Sequence, residues 1–188
     1  MHNPCMEMLE SKWREQKFVC VGLDPDYQKL TREMRRAGLV EDVLAQFVCS
    51  IVDDTKGGVC AFKPNIAFYE AYGAIGLQAL KKIVQYIRVR ASGVPIILDI
   101  KRGDIGNTNR GYVQSVVEHF DVDGLTLHPY LGMEANKPFL ELNKMLFWLC
   151  RTSNPGAGEF QDLPVVSGEG KPARTLLEYN GIAKEGLS

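Results

Sequence analysis

The stretch Val94 to Lys101, VPIILDIK, decides the reading of this chain, together with the 102–108 segment RGDIGNT that follows it. Its first part is a short Val/Ile/Leu run after Gly93, the pattern of a strand covered on both faces. Its end carries charge. Side chains alternate along a strand, so Ile97, Asp99 and Lys101 share one face. If the sheet curls into a barrel, that face is the interior, and Asp99 and Lys101 stand at the top of a closed core. Unpaired buried charge is costly, so the two are expected to pair. Arg102 then faces the other way or enters the loop, and Asp104 follows just beyond the strand.

The same alternation of short apolar runs and helical periodicity extends in both directions. Phe18 to Leu23 reads as a first strand, ending at Asp24-Pro25. Val43, Leu44, Phe47, Val48, Ile51 and Val52 mark one face of a helix over Glu41 to Val52. Val59 to Phe62 is a second strand running into Lys63-Pro64-Asn65. Tyr72, Ile75, Leu80, Ile83, Val84 and Ile87 space a longer helix. After the central strand, a helix is expected from Asn107 or Thr108, with Val113, Val116, Val117 and Phe120 on one face. Gly124 opens a fourth strand, GLTLHP. A short helix over Met133 to Leu142 precedes a fifth strand, Met145 to Cys150. A Gly-rich loop, Ser153 to Gly170, then leads to a helix near Ala173 to Lys184. Strands each followed by a helix specify an α/β fold with a parallel sheet, here with about five βα units in a single domain over residues 1–188.

In such folds chemistry collects where strands end. The first strand ends in Asp24, the second in Lys63, the third in Asp99 and Lys101, and the fourth in His128; the fifth leads into Ser153. Lys63 and Lys101 with Asp99 and Asp104 form an array that is neutral overall yet strong in local field. It suits a reaction in which charge moves within the substrate. Plainer roles stand beside these. A mixed Lys/Asp face can be solvated surface or a structural ion-pair network. Thr108 can be the N-cap of its helix, without excluding a ligand. His128 can be a hydrogen-bonded interior histidine, and Ser153 a turn residue before Asn154-Pro155-Gly156. The Gly-rich run lacks the Walker pattern and is not a P-loop.

The remaining composition narrows the class. The chain has 188 residues and a formal charge of -1, which argues against a strongly basic nucleic-acid binder. Hydrophobic residues are 45% and charged residues 24%, an ordinary globular balance. Cys5, Cys20, Cys49, Cys60 and Cys150 are odd in number and widely spaced, neither a disulfide framework nor a zinc site. Cys20, Cys60 and Cys150 lie in apolar runs and are expected to be inert core residues. The N-terminal MHNPCMEMLE has no signal-peptide pattern, and no apolar stretch approaches the roughly 20 residues of a membrane span. A reduced, cytoplasmic protein without metal or membrane is expected.

At D-x-K-x-x-D, here Asp99-Ile-Lys101-Arg-Gly-Asp104, preceded by a strand-two lysine, the sequence resembles the orotidine 5′-phosphate decarboxylase family. FKPNIAFYEAYG, LDIKRGDIGNT, LHPYLG and RTSNPGAGEFQDL extend the resemblance to the longer bacterial branch, from about Phe18 onward. It implies a (β/α)8 TIM barrel and a carboxy-lyase of pyrimidine biosynthesis. That enzyme converts orotidine 5′-phosphate to UMP and CO2 without a cofactor. It implies Lys101 as proton donor to C6, Asp99 facing the departing carboxylate, and Lys63 organising the array and touching the ribose. Asp24 would bind ribose hydroxyls and Ser153 the pyrimidine. Asp104 and Thr108 would reach into the partner's site of a homodimer.

A complete barrel of this kind typically takes about 250 residues. Five of eight units are expected here, without the later strands whose loops hold the phosphate, so the chain reads as a shortened member of the family with doubtful turnover. Two rivals remain. A strand-end lysine can form a Schiff base, as in an aldolase, but that chemistry needs a depressed lysine pKa, which neighbouring carboxylates oppose. An inactive barrel fragment that binds only a partner chain or nucleotide is the other.

Overall fold

Among the residues described by the computed structural model, 3–165 and 174–175, five short parallel strands stand side by side in chain order. They are β1 (Val19–Leu23), β2 (Val59–Pro64), β3 (Ile97–Arg102), β4 (Gly124–Leu127) and β5 (Met145–Trp148). β1 pairs with β2 from Val19↔Val59 to Leu23↔Pro64. Parallel bridges Phe62↔Ile96 and Asn65↔Asp99 join β2 to β3. β4 pairs with β3 on one side and β5 on the other. A doubly wound sheet reverses its strand order; an unreversed series is the arrangement of a barrel wall.

The buried strand side chains fall into two clusters, with a register shift at Cys60 interrupting the alternation along β2. Leu23, Phe62, Leu98, Ile100, Leu125 and Leu127 are buried in one cluster with the helices. The chief covers are α3 (Val40–Thr55), through Val48 and Val52, and α5 (Gly73–Arg90), through Leu80, Ile83 and Ile87. Each of these fully buried aliphatic side chains contributes about 2 kcal/mol of transfer energy. Cys60, Ala61 and Ile97 form a second cluster on the interior side.

That interior set is covered by α1 (Pro4–Arg14), a helix the sequence reading does not include. Asn3 caps it, accepting from the N–H groups of Cys5 and Met6 at 3.0 and 3.2 Å, and Pro4 occupies its first turn. Cys5 and Leu9 are buried against Cys60, Ala61 and Ile97, with Trp13, Met145 and Phe147 around them.

Two further short helices interrupt the crossovers, α2 (Arg32–Arg36) and α4 (Ala67–Glu70). α4 meets α5 at Gly76, where a Cβ would lie 1.9 Å from the Tyr69 carbonyl oxygen. Only glycine permits that approach. The helix after β3 is α6 (Gly106–His119).

Several boundaries differ from the sequence expectation. Met133 to Leu142 is not one helix. It is two single turns, α7 (Gly132–Ala135) and α8 (Lys137–Leu140), flanking the buried Asn136. The Asn136 amide donates to the carbonyls of Gly132 and His128, tying the turn to β4 rather than continuing a helix. The strand expected to reach Cys150 stops at Trp148. The expected Gly-rich loop contains a 3-10 turn, Pro155–Ala157, and α9 (Gly158–Gln161). It also contains β6 (Pro164–Val165), antiparallel to β7 (Arg174–Thr175). Arg174 and Thr175 are therefore strand rather than the start of a helix. The rest of the helix expected near Ala173 to Lys184, and loop positions 166–170, lie outside the described residues.

The cysteine expectation also needs correction. Cys60 is buried, but Cys20 and Cys150 are exposed. Cys20 lies opposite Ala61 on the edge strand β1, and Cys150 follows the end of β5. Among the described residues, no helix is long and apolar enough to cross a membrane.

Candidate active site

The C-terminal ends of β2 and β3 bring Lys63, Asp99 and Lys101 together. Lys63 Nζ donates to Asp99 Oδ2 at 3.0 Å, and Lys101 Nζ donates to Asp99 Oδ1 at 2.6 Å. Asp99 is the buried member, with 7% of its side chain exposed, against 33% for Lys63 and 49% for Lys101. Both lysine side chains thus remain partly exposed while the carboxylate between them is covered. The expectation that Asp99 and Lys101 share a face and pair is met.

Burial by itself raises the Asp99 carboxyl pKa, but donors from Lys101, Thr126 and Lys63 outweigh it and hold the group below the ordinary aspartate value. Thr126, on β4, joins the array although strand-end charge does not point to it. Its hydroxyl donates to Asp99 Oδ1 at 2.7 Å and accepts from the backbone N–H groups of Ile100 and Lys101. The available signal was a polar residue inside the apolar run GLTLHP.

Lys101 has φ 45°, in the left-handed region that non-glycine residues seldom occupy. Arg102 turns to the other side, as the alternation requires. Its guanidinium pairs with Glu70 at 2.6 Å and lies 5.1 Å from the centre of the Tyr112 ring. A groove of about 420 Å³ on that helical side is lined by Leu77, Arg102, Tyr112 and Val116. It lies across the sheet from the charged array.

Asp24 ends β1, where its Oδ1 accepts from the Asn65 N–H at 3.1 Å. Asn65 in turn bridges to Asp99, so the ends of three neighbouring strands are in register. A depression of about 400 Å³ lined by Asp24, Asp26, Lys29 and Phe68 opens beside them.

The other expected site residues stand apart. Asp104 is not a fourth member of the hydrogen-bonded array. Its Oδ1 accepts from the N–H of Ile105 at 2.6 Å, while its own N–H and carbonyl are held by the side chain of Asn109. Asn109 is fully buried and also donates to the Ala135 carbonyl, anchoring the loop that carries Asp104. Thr108 is exposed and lies within the first turn of α6. The N-cap position belongs to Ile105, without a side-chain bond, so the capping role expected of Thr108 is not realised. The helix begins earlier than expected because Gly106 and Asn107 join its first turn.

Ser153 is exposed in the segment between β5 and the 3-10 turn. His128 is half-buried above Gly103, at which a Cβ would lie 2.4 Å from the His128 carbonyl oxygen and 3.0 Å from ring Cε1. The closeness and the φ of 153° explain the glycine within D-x-K-x-x-D. Among the described residues, no group of three or more His, Cys, Asp or Glu side chains is arranged to hold a metal ion.

Comparison with known proteins matches residues 17–185 to the Orotidine 5'-phosphate decarboxylase / HUMPS family. Over 145 residues the chain is 41% identical to orotidine 5'-phosphate decarboxylase of Leptospira interrogans, covering 77% of this chain and 52% of the relative. Over 157 residues it is 43% identical to that of Roseiflexus castenholzii, covering 83% and 55%. The chain spans about half the length of these curated relatives. Among solved structures, Leishmania donovani OMP decarboxylase superposes with a TM-score of 0.78 at 30% identity, covering 97% of this chain and 65% of that one.

Proposed function

Because the chain belongs to the orotidine 5′-phosphate decarboxylase / HUMPS family, we propose that its Lys63, Asp99 and Lys101 array is the reacting centre of a decarboxylase converting orotidine 5′-phosphate to UMP and CO2. The observation that carries this reading is one buried carboxylate bonded by two partly exposed lysines at adjacent strand ends.

The chemistry asks for such an arrangement. When the C6–carboxylate bond breaks, CO2 departs and the electron pair stays on C6, a vinylic carbon without a delocalised sink. An ammonium beside C6 stabilises that charge as it forms. Lys101 then gives its proton to C6 and leaves as a neutral amine, which solvent reprotonates. Asp99 holds Lys101 at 2.6 Å before substrate arrives and faces the substrate carboxylate during the reaction. Lys63 fixes the other Asp99 oxygen and reaches the ribose.

Asp24, at the end of β1, is assigned to the ribose hydroxyls and Ser153 to the pyrimidine. Asp104 and Thr108 lie outside the hydrogen-bonded array of their own chain. That position accords with their serving the site of a second copy, so the proposed active unit is a homodimer. The reaction uses no cofactor. The Schiff-base alternative has no geometric support, because Lys101 Nζ is engaged by a carboxylate.

The test follows orotidine 5′-phosphate loss by absorbance, with nucleotide binding measured by calorimetry. Lys101→Ala is expected to lose nearly all turnover while still binding nucleotide. Near-normal turnover in that variant overturns the assignment. Binding without turnover in the unsubstituted chain identifies it as an inert barrel segment.

A further inference from the structure

β3 leaves its ladder with β4 between Leu98 and Arg102. The advance from Leu98 to Arg102 on β3 is matched only by the advance from Leu125 to Leu127 on β4. β3 therefore bulges where Asp99, Ile100 and Lys101 sit, and the N–H groups of Ile100 and Lys101 lose their strand partners. Buried backbone donors need replacement acceptors. Both find the same atom, Thr126 Oγ1, at 3.0 and 3.1 Å.

A hydroxyl offers two acceptor lone pairs and one proton. Here both lone pairs are occupied by consecutive backbone N–H groups, and the proton goes to Asp99 Oδ1 at 2.7 Å. Thr126 is 9% exposed, so water does not readily substitute. The residue held through its backbone is Lys101, at φ 45°, and the residue held through its side chain is the carboxylate that Lys101 pairs with.

We propose that Thr126 is the positioning residue of the site, its hydroxyl fixing the left-handed backbone of Lys101 and the orientation of Asp99 together. A conformation this uncommon persists only when its surroundings determine it. The Thr126 hydroxyl is well placed to do so. It supplies geometry and touches no substrate.

The activity part of this inference rests on the decarboxylase reading; the structural part does not. Thr126→Val keeps the shape and removes the hydroxyl. We expect kcat to fall about 100-fold, as for a reacting group displaced by about 1 Å, with KM changed less than about threefold because no substrate contact is removed. Thr126→Ser is expected to restore most of the loss.

A second measurement does not depend on turnover. The Asp99 carboxyl, followed by carbon NMR, is expected to titrate at higher pH in Thr126→Val than in the unsubstituted chain, because one donor to the ionised form is gone. If Thr126→Val does not fold, Thr126→Ala carries both readouts. A folded hydroxyl-free variant with unchanged Asp99 titration overturns the proposal, as does a Ser variant as impaired as Val. If the unsubstituted chain shows no turnover, the decarboxylase reading fails, and the titration alone decides the role of Thr126.

Discussion

Lys63 and Asp99 are 36 residues apart in the chain and 3.0 Å apart at Nζ and Oδ2. The contact joins β2 to β3 across a crossover containing α4 and α5. It also leaves Asp99 Oδ1 to Lys101 and Thr126, so each carboxylate oxygen has its own donors. Lys63→Met keeps the aliphatic stem and removes the charge. If the array is the proposed decarboxylase centre, turnover is expected to drop by about 10² to 10³, the effect of removing one preorganised electrostatic donor. Steady-state rates of orotidine 5′-phosphate loss check this, and a variant within threefold of the unsubstituted chain contradicts it.

Asp104 is fixed by Asn109 and Ile105 rather than by the array of its own chain. If two copies share their sites, Lys101→Ala and Asp104→Ala chains are each inactive alone but complement when mixed. A hybrid dimer then has one site with both residues intact. Random exchange restores about a quarter of the sites, by the symmetry of a two-fold dimer. Activity that stays at background after subunit exchange overturns the sharing of Asp104 between copies.

Glycines on two helices are expected to respond in opposite directions. At Gly76 a Cβ meets the Tyr69 backbone at 1.9 Å, so Gly76→Ala must separate α4 from α5. Overpacking of this kind costs about 1–3 kcal/mol. Gly111, within α6, has nothing within 4 Å of a built Cβ. Gly111→Ala should stabilise by about 0.4–1 kcal/mol, because the unfolded chain loses freedom and the helix gains propensity. Thermal or urea unfolding of the two variants measures both signs.

Asp53 on α3 carries a pH signature. Its carboxylate accepts from Lys56 and from the hydroxyl of Tyr86, which hold its pKa at about 2, well below the ordinary value of 3.8. A depressed folded-state pKa contributes stability that is complete above the unfolded value and is lost as pH falls through the folded one. Asp53 therefore steepens the loss of stability between about pH 4 and about pH 2. Asp53→Asn should flatten that limb, as urea midpoints across the interval can show. Parallel curves for the two proteins exclude the effect.

Much of this molecule is legible locally. The parallel strands, the long helices over Val40–Thr55 and Gly73–Arg90, and the shared face of Asp99 and Lys101 follow from periodicities of 2 and 3.6 residues. α1 is harder to read because only its Cys5 and Leu9 edge is buried, against strands reached later in the chain. The interval Met133 to Leu142 misleads for a related reason. Helical spacing cannot show that the Asn136 amide is claimed by the carbonyls of His128 and Gly132.

The sequence by itself determined the α/β series, the family and the identity of the strand-end charges. Those depend on residue order and on side-chain alternation along single strands. Tertiary structure alone decided that Asp99 is shared by Lys63, Lys101 and Thr126, and that Asp104 stands outside that group. It also decided that Lys101 is held at φ 45° by a hydroxyl from the next strand. Those relations depend on where one strand's register bulges against another. A difference of one residue in that register carries a side chain to the opposite face.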